Sequence, residues 1–400
     1  MESLYIALLT SNRLISYLHE LSGINPGFAG QKFNRLIIEG LTKNGVKTRA
    51  FSSIPMNRKI SKKLWWNEKN EEENGILYSY IPFINIPFIH HICLLVYSFF
   101  YVLKWGITKR NEKFILMDVL NLSICIGSLL ACKITGIHCV GVVTDMPGLM
   151  VDASEKQDSK KHNYVTKINR MFISSFDSYV FLTEYMNPII NTKHRPYIIM
   201  EGLADSNIKV NKSVLSNKNS EKSILYAGGL HERYGLKTLV DAFMKTTNPK
   251  YKLIIYGSGP FVKDLLEDAS KDSRIDFRGV VSNAEVMLAE NNATILVNPR
   301  PTKEKFTLYS FPSKNIEYMS TGTPLLTTCL PGMPQEYYPY VYLFNDETVD
   351  GFYNAIDSLL ALPSDVLSAK GRKAQEWILK NKNNIVQTKR IIVLVKSNLL

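Results

Sequence analysis

The chain reads as an α/β protein of two Rossmann-like domains, each a parallel sheet flanked by helices, and three observations predict this. Strand, glycine-bearing loop and helix alternate from the first residues. The alternation lapses over 193–221, where Ser, Asn and Lys accumulate, and restarts at Ser223. A length of 400 residues exceeds one ordinary core and suits two of similar size. The expected boundaries are a first domain over 1–192, a linker over 193–221, a second domain over 222–362, and a carboxyl-terminal helical segment over 363–400.

The elements follow in order. Leu4 to Thr10 is an apolar run that predicts the first strand, and Gly23 to Gly30 a glycine loop leading into a helix from about Gln31 to Lys43. After the Asn44-Gly45 turn, the β-branched and apolar Val46 to Ile54 predict the next strand. Lys113 to Val119 and His138 to Thr144 read as strands around a helix from Leu122 to Ile134. In the second half, a strand ending at Gly228-Gly229 precedes a helix over Lys237 to Met244. A strand over Lys252 to Tyr256, a helix over Pro260 to Ser270 and a strand over Ile275 to Arg278 follow. Ala293 to Asn298, stopped by Pro299, is a buried strand.

Composition limits the chemistry. There are 48 Lys+Arg against 36 Asp+Glu, a net +12, and 23 basic against 15 acidic residues fall within 1–200, so the first half carries 23 − 15 = +8. On charge alone such an excess suits an anionic neighbour, phospholipid or nucleic acid, or simply a soluble basic protein; a phospholipid surface and no nucleic acid is the expectation taken here. The five cysteines form no C-x-x-C pair, so neither a disulfide framework nor a zinc site is expected. Met1-Glu2-Ser3 runs directly into a strand without a basic leader, and a cytoplasmic protein, peripheral at the inner face of the plasma membrane, is the expectation.

Two segments bear on that membrane. Ile84 to Leu103 carries no Lys, Arg, Asp or Glu over a length able to span a bilayer, yet it contains Pro87, His90 and His91 and falls between two strands of one domain. A packed or interfacial helix is expected over a spanning one, because the sheet must close around it. Arg58 to Trp66 mixes cations with two indoles, which suits an anionic lipid surface; a solvated loop with one indole in the core is the alternative.

The most informative segment is Phe311 to Pro324. Pro312-Ser313 ahead of an amphipathic run, ended by Thr321-Gly322 and Pro324, starts and stops a short helix. A helix start attracts anions, and Lys314 adds a full charge within the first turn, so a diphosphate fits there. One turn on, Glu317 can accept two hydrogen bonds from a vicinal diol such as a ribose. The preceding strand ends here, and ligands of open α/β sheets bind at such ends.

With Gly228-Gly229-Leu230-His231-Glu232-Arg233-Tyr234-Gly235 after a strand, and Lys314 and Glu317 downstream, the chain resembles family 4 glycosyltransferases of the GT-B fold. These are retaining enzymes that build bacterial polysaccharides from nucleotide sugars. The resemblance is specific in the second domain and only architectural in the first. It implies two Rossmann-like domains facing across a cleft, donor bound by the second, acceptor by the first, and a last helix crossing back. It also implies a nucleotide sugar donor, expected to be UDP-linked, and a glycan or lipid-linked oligosaccharide acceptor in capsule or exopolysaccharide synthesis. No cofactor or metal is expected, in keeping with the lack of an Asp-x-Asp motif.

Carried onto this sequence, the resemblance makes Arg233 and Lys314 the groups that stabilise the leaving diphosphate, at Gly228 and Gly229. Gly257, Arg278 and Val280 would hold the base side, although a tight βα turn explains Gly257 equally. Tyr309 would hydrogen-bond a sugar hydroxyl, backbone amides over Ser310, Phe311 and Ser313 would touch the sugar or the diphosphate, and Glu317 the ribose. Asp145, at the end of a strand, would be a base or align the acceptor; capping the next turn is its structural alternative. Gly27, Gly30 and Lys32 would form an acceptor or phosphate loop.

The chain also departs from the family. Gly229 stands where an Arg is usual and Tyr234 where a Lys is usual, so Arg233 and Lys314 are expected to replace that pair. Tyr309 stands eight residues before Glu317, where the family has a first Glu, so inference about the sugar weakens. These losses motivate an alternative, a non-catalytic GT-B subunit stabilising a partner transferase. A nucleotide-sugar epimerase is a weaker one, since Asp145 alone makes no acid and base set. A dehydrogenase is disfavoured because Leu9 to Gly30 lacks G-x-G-x-x-G.

Overall fold

The computed structural model describes residues 1–22, 29–108, 112–146, 169–208 and 221–399. The chain divides into two compact units, one of Met1–Leu203 with Asn384–Leu400, the other of Ala204–Asn383.

The first unit is built on an eight-stranded sheet. Its strands are β1 (Glu2–Ile6), β2 (Lys47–Ser53), β4 (Glu71–Glu73), β5 (Ile76–Ile81), β7 (Lys113–Asp118), β8 (His138–Val143), β9 (Ser178–Phe181) and β10 (Tyr197–Ile199). A separate ribbon pairs β3 (Trp65–Trp66) with β6 (Phe83–Ile84) in antiparallel register. In the large sheet the order is β10-β9-β8-β7-β1-β2-β5-β4, parallel except for the β4–β5 pair. The strands at its centre are buried along their whole length, which is why they read as continuous apolar runs.

Helices α1 (Asn12–Ser22), α2 (Ala29–Lys43), α3 (Pro87–Thr108) and α4 (Leu122–Thr135) join these strands. α1 was not anticipated, although Leu14, Ile15, Leu18 and Leu21 recur at helical spacing, with Leu14 and Leu18 buried and Asn12, Arg13, His19 and Glu20 on the exposed side. β10 lies inside the stretch expected as linker, where Tyr197 to Ile199 pair with Tyr179 to Phe181.

The second unit is a six-stranded, all-parallel sheet in the order β13-β12-β11-β14-β15-β16. Its strands are β11 (Lys222–Gly229), β12 (Tyr251–Ser258), β13 (Ile275–Gly279), β14 (Ile295–Asn298), β15 (Leu325–Thr327) and β16 (Tyr342–Leu343). A four-residue helix, α5 (Asn187–Ile190), belongs to the first unit, and α6 (Leu236–Met244), α7 (Val262–Lys271), α8 (Asn283–Asn292) and α9 (Ser313–Thr321) flank the second sheet. Side chains alternate along β11, so Ile224 and Tyr226 enter the core on one face while Leu225 and Ala227 enter that on the other. Each large apolar side chain buried this way contributes about 1.5–3 kcal/mol, which holds the strand in register.

Three helices close the chain: α10 (Val349–Ala361), α11 (Ser364–Asn381) and α12 (Asn384–Leu399). The segment 363–400 therefore does not act as one piece. α11 stays in the second unit, where Gln375 donates to the Ser320 carbonyl at 2.8 Å, and α12 belongs to the first. There Asn384 donates to the Leu36 carbonyl at 3.1 Å, and Asn44 to that of Ile385 at 2.8 Å.

Candidate functional site

In the second unit the strand order reverses between β11 and β14, so the connections leaving these two neighbours run in opposite directions. The crevice at the carboxyl ends of such a pair is where an open α/β sheet binds ligands. β11 ends there in Gly228-Gly229, and β14 in Asn298, with Pro299-Arg300 just beyond.

α9 is tied to both strands. Asn298 donates to Asn315 Oδ1 at 2.6 Å, anchoring the first turn of the helix to β14. The Ala227 amide donates to Tyr318 Oη at 2.9 Å, and that hydroxyl donates to the Ala227 carbonyl at 3.2 Å, anchoring the helix to β11. The positive end of the helix dipole is thereby fixed at the switch point.

Gly228 is needed for what lies above it. A Cβ there would stand 2.3 Å from Lys314 Cε and 2.9 Å from Nζ, so the lysine crosses the end of β11 only because residue 228 has no side chain. Gly257, at φ 128°, adopts a conformation open to glycine, and a Cβ on it would meet the Gly228 carbonyl oxygen at 1.8 Å. Gly257 is thus required by the close packing of β12 on β11.

Two guanidinium groups share a pair of rings beside these glycines. Arg233 Cζ lies 5.5 Å from the ring centres of both Tyr234 and Phe306, and Arg300 Cζ lies 4.7 Å and 5.7 Å from the same two. Arg233 Nε is buried and has no hydrogen-bond partner. Burial lowers the pKa of Arg300; Tyr226 and Tyr234 oppose this, and the Arg233 charge adds to it. Tyr226 donates to the Gly229 carbonyl at 2.9 Å, which ties that ring to the loop.

Among the described residues no carboxylate pairs with either guanidinium; the arginine ion pairs of this unit are Arg274 with Asp272 and Arg278 with Asp276. A cation over a ring gains roughly 0.5–2 kcal/mol. Desolvating a charge costs up to several kcal/mol per ion, and like charges add to it. The rings therefore compensate only part of the cost, and the grouping of Arg233, Arg300 and Lys314 suits an anion of more than one charge. Arg300 escaped the sequence reading because Asn-Pro was read only as the end of a strand. The available signal was a basic residue immediately after that stop.

The structure brings Gly228, Gly229, Arg233 and Lys314 together, with Glu317 on the same helix as Lys314. Tyr309 and Ser310 precede α9 and are half-buried, with Ser310 donating to the Phe306 carbonyl at 3.0 Å. Ser313 is exposed at the helix start. The Phe311 ring is buried against Tyr337, with ring centres 5.1 Å apart, so any contact it makes with a donor is through its backbone. Arg278 and Val280 are at β13, the edge strand two strands from β11, about 10 Å across the sheet. Asp276 holds Arg278 there at 2.8 Å, and Tyr256 Oη accepts from it at 3.2 Å.

In the first unit the order reverses between β1 and β7. Asp118 ends β7, buried, and accepts hydrogen bonds from the Leu120 amide at 3.1 Å and from Asn34 at 3.3 Å. Tyr5 donates to Asn34 at 2.5 Å. Burial raises the Asp118 pKa. Asp145 lies two residues beyond β8, where burial, opposed by a 3.1 Å bond from the Met146 amide and helped by the Asp118 charge, raises its pKa to about 6. The sequence reading overlooked Asp118, although it is the acid that closes the strand at the reversal. Gly30 and Lys32 are exposed in the first turn of α2, and Gly27 falls outside the described residues.

Residues 221–362 match the family model described as "Glycosyl transferases group 1". No curated protein matches the chain. Among solved structures it is similar to sucrose-phosphate synthase (tll1590) from Thermosynechococcus elongatus, with 13% identity, full coverage of both chains and a TM-score of 0.67. It is also similar to Anabaena Alr3699/HepE in complex with UDP, with 14% identity over 99% of this chain and 100% of that one, at a TM-score of 0.64. The lipopolysaccharide outer core galactosyltransferase WaaB, in its apo form, aligns over the whole of both chains with 16% identity and a TM-score of 0.60. These likenesses show the fold, an α/β architecture of parallel sheets flanked by helices shared with GT-B glycosyltransferases.

Proposed function

We propose that the chain transfers a sugar from a nucleoside diphosphate sugar to a hydroxyl of a glycan or lipid-linked glycan, with retention of anomeric configuration, in the synthesis of cell-surface polysaccharide. The observation that carries this reading is the grouping of Arg233, Arg300 and Lys314 at the β11–β14 switch point, two of them guanidinium groups without a carboxylate. Negative charge grows on the diphosphate as its bond to the sugar breaks. Fixed cations aimed at that charge bind the transition state more strongly than the ground state. Three of them supply the neutralisation for which other transferases use a divalent ion, so transfer is proposed to be metal-independent.

In this reading Glu317 accepts from the ribose hydroxyls, and Tyr309 and Ser310 face the sugar. Asp145 aligns the acceptor hydroxyl, while an oxygen of the leaving phosphate takes its proton. UDP is the proposed nucleotide, a choice supported by the structural likeness to a protein solved with UDP. Retention rests on the resemblance of Gly228 to Gly235 and of Lys314 and Glu317 to retaining enzymes.

The test has two stages. Nucleoside diphosphates are screened for thermal stabilisation, where UDP is expected to raise the melting temperature by mass action. The purified chain is then given UDP-sugars with and without acceptor, and the anomer of the product is read by NMR. Stabilisation without any release of nucleotide above background would replace the transferase with a nucleotide-binding subunit. An inverted product would remove retention.

A further inference from the structure

α3 has two faces of different character. Leu94, Ser98, Val102 and Trp105 are buried, and the Ser98 hydroxyl donates to the Leu95 carbonyl at 3.0 Å and to the Ile124 carbonyl of α4 at 3.2 Å. His91 and Ser123 lie 2.9 Å apart along the same seam. The other face carries Phe88, Ile92, Val96, Phe100 and Ile107, which recur at helical spacing and include the side chains exposed to 75%, 61% and 71% at Phe88, Phe100 and Ile107. A continuous apolar stripe of this size marks an interaction surface.

Neither α3 nor α4 contains an acidic residue, and Lys104 and Lys133 are exposed on them. α3 follows the β3–β6 ribbon, in which Trp65 pairs with Ile84; Trp65 is exposed, and Lys62 and Lys63 are exposed beside it. An indole and cations beside an apolar face suit the headgroup level of an anionic bilayer.

The length and composition of α3 alone would allow it to cross a membrane. Its place in the fold does not. It joins β5 to β7 of one parallel sheet, and one of its sides is packed on α4, whereas a spanning helix puts its ends on opposite sides of about 30 Å of hydrocarbon.

We propose that the exposed face of α3 is a membrane-docking surface, lying in the plane of an anionic phospholipid leaflet with its apolar stripe inserted among the acyl chains. Lys62, Lys63, Lys104 and Lys133 meet the headgroups, and Trp65 sits at their level. The proposal stands independently of glycosyl transfer, because it rests on the surface of α3 and not on the cation cluster.

The test is flotation of the purified chain with vesicles of phosphatidylcholine alone or with about one third phosphatidylglycerol. Flotation with the anionic vesicles, weakened but not abolished by high salt, is expected. Replacing both aromatic anchors (Phe88→Asp with Phe100→Asp) should lower partition roughly tenfold or more, since a charge replaces inserted apolar area. Both positions are exposed, so circular dichroism and the melting temperature should match the parent. If this variant misfolds, the milder Phe100→Ser with Ile107→Ser is used, expected to weaken flotation several-fold. Wild-type flotation by the folded variants would overturn the proposal. So would a parent that ignores vesicles but sediments as a dimer that the same substitutions dissociate, since a second copy would then cover the face.

Discussion

At the strand-order reversal of the second sheet stand Arg233, Arg300 and Lys314, whereas the carboxyl ends of β7 and β8 in the first hold Asp118 and Asp145. Both groupings bring like charges together at the carboxyl ends of parallel strands. Burial lowers the pKa of Arg300 and raises those of Asp118 and Asp145. Each grouping carries a desolvation cost that an acid beside Arg233 or Arg300, or a base beside Asp118 or Asp145, would lessen. The difference teaches that one architecture can present opposite charge at equivalent places; on the proposed reading this would mean charge neutralisation in one unit and hydroxyl positioning in the other, with side chains at the strand ends setting the sign.

The sharpest way to break this contrast is to remove the cations. Arg300→Ala and Arg233→Ala are each expected to lower turnover by about 10²–10³-fold, the cost of losing one preorganised group on a developing oxyanion. Neither should lower the melting temperature of the ligand-free protein, because each removes a desolvated charge with no carboxylate partner. A variant with normal turnover at saturating donor would show that the grouping does not act on the leaving group. A large loss of stability would show that the cations serve the fold.

Glu317→Ala tests the carboxylate that the cationic site does contain. Its loss should weaken nucleoside diphosphate binding by about 1.5–3 kcal/mol, roughly 10- to 100-fold in Kd by calorimetry. The matching 2′-deoxynucleotide should show a smaller difference between parent and variant. Equal affinities for parent and variant would remove the ribose role.

Gly228→Ala probes how Lys314 is held. The new methyl would stand 2.3 Å from Lys314 Cε, so the lysine must move off the end of β11. About a tenfold loss of turnover is expected, with little change in stability, because the displaced atoms belong to the far end of a flexible side chain. Unchanged turnover would mean that the ammonium group acts from another position.

How much of this could be read from the chain differs between sheet and site. Strands buried on both faces read as apolar runs, and glycines at their ends marked the turns, so the two α/β halves were visible without coordinates. β10 was hidden because three residues between polar neighbours carry no period. In the site, Lys314 was visible because its helix start has a grammar of its own. Arg300 and Asp118 were hidden because their meaning lies in strand order, which local sequence does not encode: each matters for standing at a reversal. The burial of the Phe311 ring was not legible for a related reason, since a residue flanking a helix start faces core or solvent according to which side the sheet occupies.

The smallest effect concerns stability on the acidic side of the contrast. Burial above all pushes the Asp145 carboxyl up from its ordinary value of about 3.9 to about 6. The folded chain therefore binds more protons than the unfolded one between these values, and the stability associated with this group falls as pH rises through that window. Above about pH 6 the folded state carries the full penalty of a desolvated carboxylate beside Asp118. Asp145→Asn should then stabilise the protein at pH 7.5 by about 1 kcal/mol, discounted for the partial exposure of the group, and leave it unchanged near pH 4. Turnover of the parent should rise with pH through about 6 as the carboxylate forms, and the variant should be slower and lack this rise. If Asp145→Asn instead destabilises the fold at pH 7.5, the carboxylate is bonded rather than strained, and the opposition of charge between the two sheets loses its acidic half.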